Sequence, residues 1–267
     1  MKQAFITISF GSTFSETRIH EIGGIENALQ QAFPNYDHYS TYTSGIVRKR
    51  LAEQNIIIDD PETLLNKLLQ QGYQQIIIQP THLLLGEEFQ QKILSLQEKY
   101  AAKFNKFIIS RPLLSSEADY QMIAAAITTQ FPQLKENEGI VLMGHGSPRK
   151  NNDSFGHTYL KLQQTFAKMQ LPVLIATVED EDTPNFPMLL EALSKSSYTT
   201  VHMFPFMVVA GDHANNDMYG DDPDSWKVQI QAQGIATKGY LYGLGRNKAI
   251  QSIYINHALQ AITDFDK

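Results

Sequence analysis

One motif occurs twice in this chain, once in each half. Each copy follows a short β-rich run and has proline at its second position. It continues through apolar residues and ends in glycine, an acid and a side chain able to bind metal. The copies span residues 79–88 and 204–213 and end at Glu88 and His213. A repeat of this length predicts two structural units with the same fold.

A second, shorter pair of motifs agrees with this division. Ser9-Phe10-Gly11-Ser12 in the first half corresponds to Gly144-His145-Gly146-Ser147 in the second, and both follow strand-like runs. Glycines on both sides let the backbone turn sharply and leave the imidazole of His145 exposed at the end of a strand. A structural histidine is more often flanked by bulky packing residues, so this context favours a functional role.

Strand-like and helix-like segments alternate along the chain, which predicts parallel sheets covered by helices. The fold class we expect is α/β, with two similar Rossmann-like lobes. We expect residues 1–125 to form the N-terminal lobe, residues 126–267 the C-terminal lobe, and the active-site cleft to lie between them. The predicted strands are residues 3–9, 37–43, 74–80, 106–111, 139–144, 172–178, 199–205 and 237–242, and the predicted helices are 16–33, 62–71, 88–103, 116–130 and 247–264.

All the repeated motifs lie just past predicted strand ends. Ligands of open parallel sheets bind at the carboxyl ends of the strands, so we expect Glu88, His145 and His213 to line one cleft. Two imidazoles and one carboxylate suit a divalent metal ion and leave positions open for exchange. Glu179, directly after the strand predicted at 172–178, is a candidate to support that site.

Each candidate also has a plainer interpretation. Glu87 and Glu88 are acids that would stabilise the first turn of a helix through its dipole; we prefer this account for Glu87 alone. Residues 212–217 would equally suit a helix cap followed by a solvated histidine. The basic residues Arg48, Arg149 and Lys150 could hold ligand carboxylates, although such clusters are often merely solvated, and His82 could line the cleft.

Composition excludes several classes of protein. The formal net charge is -6, which argues against a nucleic-acid partner. The chain has no cysteine, and therefore no thiolate metal site. No apolar run approaches the roughly 20 residues that span a bilayer, and the first residues lack a signal-peptide pattern. We expect a cytoplasmic protein without a membrane partner. Residues 243–246 lack the third glycine of the dinucleotide-binding motif, which argues against NAD binding.

The chain resembles, nearly end to end, the anaerobic-type sirohydrochlorin cobalt chelatases. These are class II chelatases, related to ferrochelatase. Phe10 and Ser44 lie within the shared motifs and are further candidates for substrate binding. The motifs that carry the resemblance are residues 9–11, 42–45, 86–89, 112–114, 143–146, 211–218, 221–222 and 224–227.

The resemblance implies two lobes related by a pseudo-twofold, with Glu88, His145 and His213 as metal ligands and catalytic residues. It implies a lyase-class enzyme that inserts a divalent metal into sirohydrochlorin in cobalamin biosynthesis. Cobalt(II) is the metal we expect, with iron(II) or nickel(II) as alternatives, and no organic cofactor is needed. His145 would also accept a pyrrole proton. The family often carries a histidine pair where residues 147–152 read Ser-Pro-Arg-Lys-Asn-Asn.

Other functions stay open at this point. Such a chain could carry a metal or tetrapyrrole without catalysis, or could release iron from haem. A hydrolytic metal site is disfavoured because the acid-rich bridging ligands of two-metal hydrolases are missing. Apolar helix faces leave room for a homo-oligomer.

Overall fold

The computed structural model describes residues 1–146, 157–179 and 182–267, which form two compact units. Contacts assign Met1–Ser115 and Lys248–Lys267 to the first unit and Ser116–Asn247 to the second. These bounds differ from the expected 1–125 and 126–267. The last helix returns to the first unit because it packs against a helix and two strands there.

The first unit is built on a four-stranded parallel sheet with the order β2-β1-β3-β4. Each strand lies within two residues of its predicted bounds at either end. β1 has a neighbour on each side, so the direction in which successive strands are added to the sheet reverses between β1 and β3. Open parallel sheets bind ligands at such a reversal. The strands are β1 Lys2–Ser9, β2 Asp37–Tyr42, β3 Tyr73–Pro80 and β4 Lys106–Ile109.

The second unit repeats this sheet with the order β6-β5-β7-β8, again all parallel. The reversal of strand order here falls between β5 and β7, the two strands that precede His145 and His213. The α/β class and the two similar sheets expected from the repeat are therefore confirmed. The strands are β5 Glu138–Gly144, β6 Val173–Thr177, β7 Thr200–Phe206 and β8 Ala236–Gly239.

Helices connect the strands, and several contain a wider π-helical turn. The π-helical segments are Arg18–Ile22, Gln90–Leu94 and His213–Met218, and the 3₁₀ segments are Ala101–Lys103 and Leu244–Arg246. The α-helices of the first unit are Ser15–Thr17, Gly23–Ala32, Gly45–Ala52, Pro61–Gln70, Glu87–Phe89, Ser95–Tyr100 and Lys248–Phe265; those of the second are Glu117–Thr128, Thr158–Lys168, Phe186–Ser194 and Trp226–Ala232.

Apolar side chains from strands and helices form a separate core in each unit. In the first, Ile76 and Ile78 of β3 pack with Leu65 of the helix Pro61–Gln70. In the second, Met143 of β5 and Trp226 belong to one buried cluster. These cores hold the strands in register and so place the residues that follow each strand. No helix in the described ranges is long and apolar enough to cross a membrane.

Candidate metal centre

His145 stands in a turn that only glycine can flank. A Cβ on Gly144 would lie 2.3 Å from Cε1 of the buried Tyr159. Gly146 has φ +102°, and a Cβ there would lie 2.7 Å from Cβ of Glu179. The two glycines let the chain turn tightly at the end of β5, which leaves the side chain of His145 exposed.

Glu179 lies against this turn, two residues past the end of the neighbouring strand β6. Its backbone N–H donates to the carbonyl of His145 at 3.3 Å, and Val178 donates to Gly144 at 2.9 Å. On the other side, the N–H of Gly146 donates to the Tyr159 hydroxyl at 3.3 Å. The structure thus brings the predicted supporting residue Glu179 beside His145.

His213 opens the π-helical segment His213–Met218 that follows β7. Its Nδ1 lies 2.5 Å from Oδ2 of Asp217, four residues later, and both side chains are partly exposed. Sequence analysis did not single out Asp217. The spacing of four residues between an imidazole and a carboxylate was the available signal, because such pairs face each other on a helix.

The rings of His145 and His213 meet at the end of the second sheet. Their centroids are 4.8 Å apart and their planes are 86° apart. Because β5 and β7 are hydrogen-bonded neighbours, the residues after them emerge side by side at the point where strand order reverses. Two of the three predicted metal ligands are therefore in contact.

This separation suits two ligands of one metal ion. An imidazole bound through a bond of about 2.1 Å has its ring centroid roughly 3.2 Å from the ion. Were one nitrogen of each ring to face the same ion, centroids 4.8 Å apart would subtend an angle of about 100° at that ion. That value lies between the about 90° of an octahedron and the about 109° of a tetrahedron, so either geometry accommodates the pair.

Glu88, the third predicted ligand, belongs to the first unit and lies in the short helix Glu87–Phe89. Its Oε1 is 3.2 Å from Nζ of Lys92, one turn further along. Lys92 also reaches the backbone carbonyl of Thr43 at 3.5 Å. The carboxylate is thus held by a cation of its own helix. The described ranges contain no group of three His, Cys, Asp or Glu side chains placed to hold a metal ion.

His82 is partly buried and lies near Glu88. Both ring nitrogens are buried, and the described part of the chain offers neither of them a hydrogen-bond partner. Burial lowers the pKa of His82 to about 4, the charge of Glu88 opposes that shift, and the charge of Lys92 adds to it. The imidazole is therefore neutral at pH 7.

The remaining substrate-binding candidates have varied surroundings. Phe10, just after β1, is 51% exposed. Ser44 is buried, and its hydroxyl caps the helix Gly45–Ala52 by accepting from the N–H of Val47 at 3.3 Å. Arg48 lies 3.8 Å from a carboxylate oxygen of Asp60. Arg149 and Lys150 lie outside the described residues.

Known proteins resemble this chain over most of its length. The family described as cobalt chelatase (CbiK) matches residues 3–263. A sirohydrochlorin cobaltochelatase of Salmonella typhimurium strain LT2 is 36% identical over 263 residues, covering 98% of this chain and 97% of that protein. The sirohydrochlorin cobaltochelatase CbiKC of Nitratidesulfovibrio vulgaris is 26% identical over 243 residues, covering 90% of this chain and 84% of that protein.

A solved structure shares the fold at low sequence identity. SirB from Bacillus subtilis with Fe3+ superimposes with a TM-score of 0.66 at 14% identity, covering 100% of this chain and 98% of that one. At this identity the likeness shows the fold alone.

Proposed function

This chain belongs to the cobalt chelatase (CbiK) family, and from that premise we propose that it inserts cobalt(II) into sirohydrochlorin in cobalamin biosynthesis. The observation that carries the proposal is the contact between His145 and His213, with ring centroids 4.8 Å apart at the strand reversal of the second sheet. Two neighbouring imidazoles are a suitable pair of ligands for cobalt(II).

The metal is a substrate in this reaction, and it must be bound and then released. His145 and His213 hold it in the proposed site, and Glu88 adds a carboxylate oxygen. Three protein ligands leave positions for water or a pyrrole nitrogen, so the ion can exchange partners. The ion pair between Lys92 and Glu88, 3.2 Å in length, has to break when the metal binds to the Glu88 carboxylate.

Insertion exchanges one divalent ion for two protons. Two pyrrole N–H bonds break, two protons leave the macrocycle, and four metal–nitrogen bonds form without electron transfer. The proposed reaction therefore requires no organic cofactor. His145 is the proposed acceptor of one of these protons once the metal has passed from its ring to the macrocycle, because its side chain is exposed and an imidazole is a common general base. The second proton passes to solvent water. We place the reaction in the cytoplasm.

The substrate-binding residues are assigned by their chemistry. Phe10 offers an exposed aromatic ring to the flat face of a macrocycle. Arg48, Arg149 and Lys150 would pair with peripheral carboxylates of the tetrapyrrole. In this proposal Ser44 and His82 complete the binding surface of the first unit, and Glu179 supports the turn that carries His145.

Anaerobic absorbance spectroscopy tests the proposal. Purified protein is mixed with sirohydrochlorin and cobalt(II), iron(II) or nickel(II), and the spectrum of the macrocycle is followed over many turnovers. We expect catalytic conversion with cobalt(II) and its loss in His145→Ala and His213→Ala. His20→Ala is the matched control, because His20 is half exposed and pairs with Glu16, four residues earlier on the same helical stretch.

Other results identify the alternatives. Faster conversion with iron(II) or nickel(II) would keep the chelatase and change its metal. A stoichiometric spectral shift without turnover would make the protein a tetrapyrrole carrier. Full activity in His145→Ala would remove this residue from the reaction.

A further inference from the structure

We propose that Asp217 is a positioning residue for metal binding, which fixes the orientation and tautomer of His213. Asp217 Oδ2 lies 2.5 Å from Nδ1 of His213, within one turn of the segment His213–Met218. The inference rests on the proposed function, which makes His213 a ligand of cobalt(II).

The chemistry of the two groups determines which nitrogen is left for the metal. A neutral imidazole carries one N–H and one lone pair, and an ionised carboxylate can only accept a hydrogen bond. With Asp217 ionised, Nδ1 of His213 must therefore carry the proton. The lone pair is then on Nε2, at the opposite side of the ring. A carboxylate on the far nitrogen also makes such a ligand more basic.

The surrounding turn keeps Asp217 in place. Ala214 and Met218, on either side of it along the turn, are fully buried and anchor the segment in the second unit. The side-chain amide of Asn215 donates to the carbonyl of Gly211 at 2.8 Å at the start of the segment. At its end, the N–H of Gly220 donates to the carbonyl of Asn216 at 3.0 Å. Because both ends are tied down, the carboxylate is a preformed acceptor.

The two imidazoles differ in whether a hydrogen bond holds the ring. Across the described ranges, the His145 ring contacts that of His213 and takes part in no hydrogen bond. His213 is held by Asp217 as well. The structure therefore assigns His213 the role of the oriented ligand.

The tautomer of His213 in the metal-free protein gives the first readout. Full-length chain labelled with ¹⁵N-histidine is examined by NMR, and the ring nitrogen shifts report which nitrogen carries the proton. We expect the Nδ1–H form of His213 in the wild-type protein and in Asp217→Glu, and mainly the Nε2–H form in Asp217→Ala. A structural role alone would leave the tautomer unchanged.

Cobalt affinity gives the second readout and needs no tetrapyrrole. Cobalt(II) is titrated into the metal-free protein anaerobically, and Kd is taken from the absorbance of the bound ion. We expect Asp217→Ala to raise Kd by about 10- to 100-fold, the range found when such supporting partners are removed. Asp212→Ala removes a neighbouring exposed charge without touching the ring, and we expect it to change Kd by much less.

The outcomes separate this inference from the proposed function. An unchanged tautomer in Asp217→Ala, or a Kd equal to that of Asp212→Ala, would overturn the role of Asp217 even if the enzyme converts sirohydrochlorin. A shifted tautomer and weakened cobalt binding would support it even if sirohydrochlorin were not the substrate. If Asp217→Ala fails to fold, Asp217→Asn preserves the side-chain shape and is expected to give a mixture of tautomers.

Discussion

At the scale of single residues, two glycines determine how His145 is presented. Gly146 has φ +102°, in the region that favours glycine, and it has no room for a Cβ beside Glu179. The corresponding Gly11 in the first unit has φ +101°, and a Cβ added there would clash with the ring of Tyr42. The repeat thus preserves a backbone conformation even where the neighbouring functional side chain differs.

Replacing Gly146 by alanine tests this role. We expect Gly146→Ala to lower the free energy of unfolding by about 1–3 kcal/mol through backbone strain and to weaken cobalt binding by displacing Glu179. Gly72→Ala is the control, because φ is +79° there but a Cβ would meet nothing within 4 Å. Urea unfolding and cobalt titration measure both effects. Equal effects of the two variants on both measurements would contradict the steric part of the argument.

His82 makes stability depend on pH in a predictable direction. Burial lowers the pKa of its imidazole from 6.5 to about 4 in the folded protein. The unfolded chain therefore takes up this proton first as the pH falls. The stabilising contribution is complete above pH 6.5 and is lost progressively between pH 6.5 and 4.

The variant His82→Leu removes this titration. We expect its free energy of unfolding, measured by urea at a series of pH values, to fall less steeply than the wild-type value from pH 6.5 to 4. The comparison is made between the two slopes, so a constant offset between the proteins does not matter. Parallel curves would show that His82 does not titrate differently in the folded and unfolded states.

At the scale of elements, helix beginnings follow simple capping rules while helix interiors do not. The helix Pro61–Gln70 begins as its sequence predicts, with proline first and Asp60 accepting from the N–H of Thr63 at 3.0 Å. The helix predicted at 88–103 is instead interrupted by the π-helical segment Gln90–Leu94. Periodicity alone does not reveal such wider turns, which are frequent at functional sites.

The cap at Asp60 gives a test of local stability. We expect Asp60→Ala to lower the free energy of unfolding by about 1 kcal/mol, because the N–H of Thr63 loses its acceptor. Asp60→Asn retains a capping oxygen and should cost less. Chemical unfolding of both variants measures the difference. An equal loss of stability in both would indicate that the negative charge of Asp60 near Arg48, rather than the capping hydrogen bond, is what stabilises the helix.

At the scale of the whole molecule, the last helix belongs to the first unit although it follows the second in sequence. The hydroxyl of Tyr254 donates to the carbonyl of Thr81 at 2.7 Å, just past β3. Ile250 and Ala258 of the same helix are fully buried. Lys106 of β4 pairs with Asp266 at 2.6 Å. The chain therefore crosses between the units twice, at residues 115–116 and 247–248.

Removing this helix should affect the two units differently. We expect a chain ending at Asn247 to lose hydrogen-exchange protection in β3 and in the helix Gly23–Ala32, because an apolar face of the first unit becomes exposed. We expect β5 and β7 to stay protected. Hydrogen-exchange mass spectrometry measures each segment, and a chain ending at Phe265 is the control. Equal loss of protection in both units would show that they unfold together.

Much of the fold could be predicted because its signals are local. Alternating apolar runs and helical periodicity located the strands of both sheets, and the repeated motif predicted that the sheets would match. Glycine on both sides of His145 predicted its exposure for a steric reason that needs no knowledge of distant residues. The residue types of the proposed metal ligands were likewise visible in the sequence.

Tertiary structure decided which of these residues meet. His145 and His213 are far apart in the chain, and their rings come into contact only because β5 and β7 pair in the sheet. The burial of both ring nitrogens of His82 depends on packing in the same way. The last helix packs on the first unit because its apolar side chains are buried there, a choice between two similar sheets that local patterns do not encode.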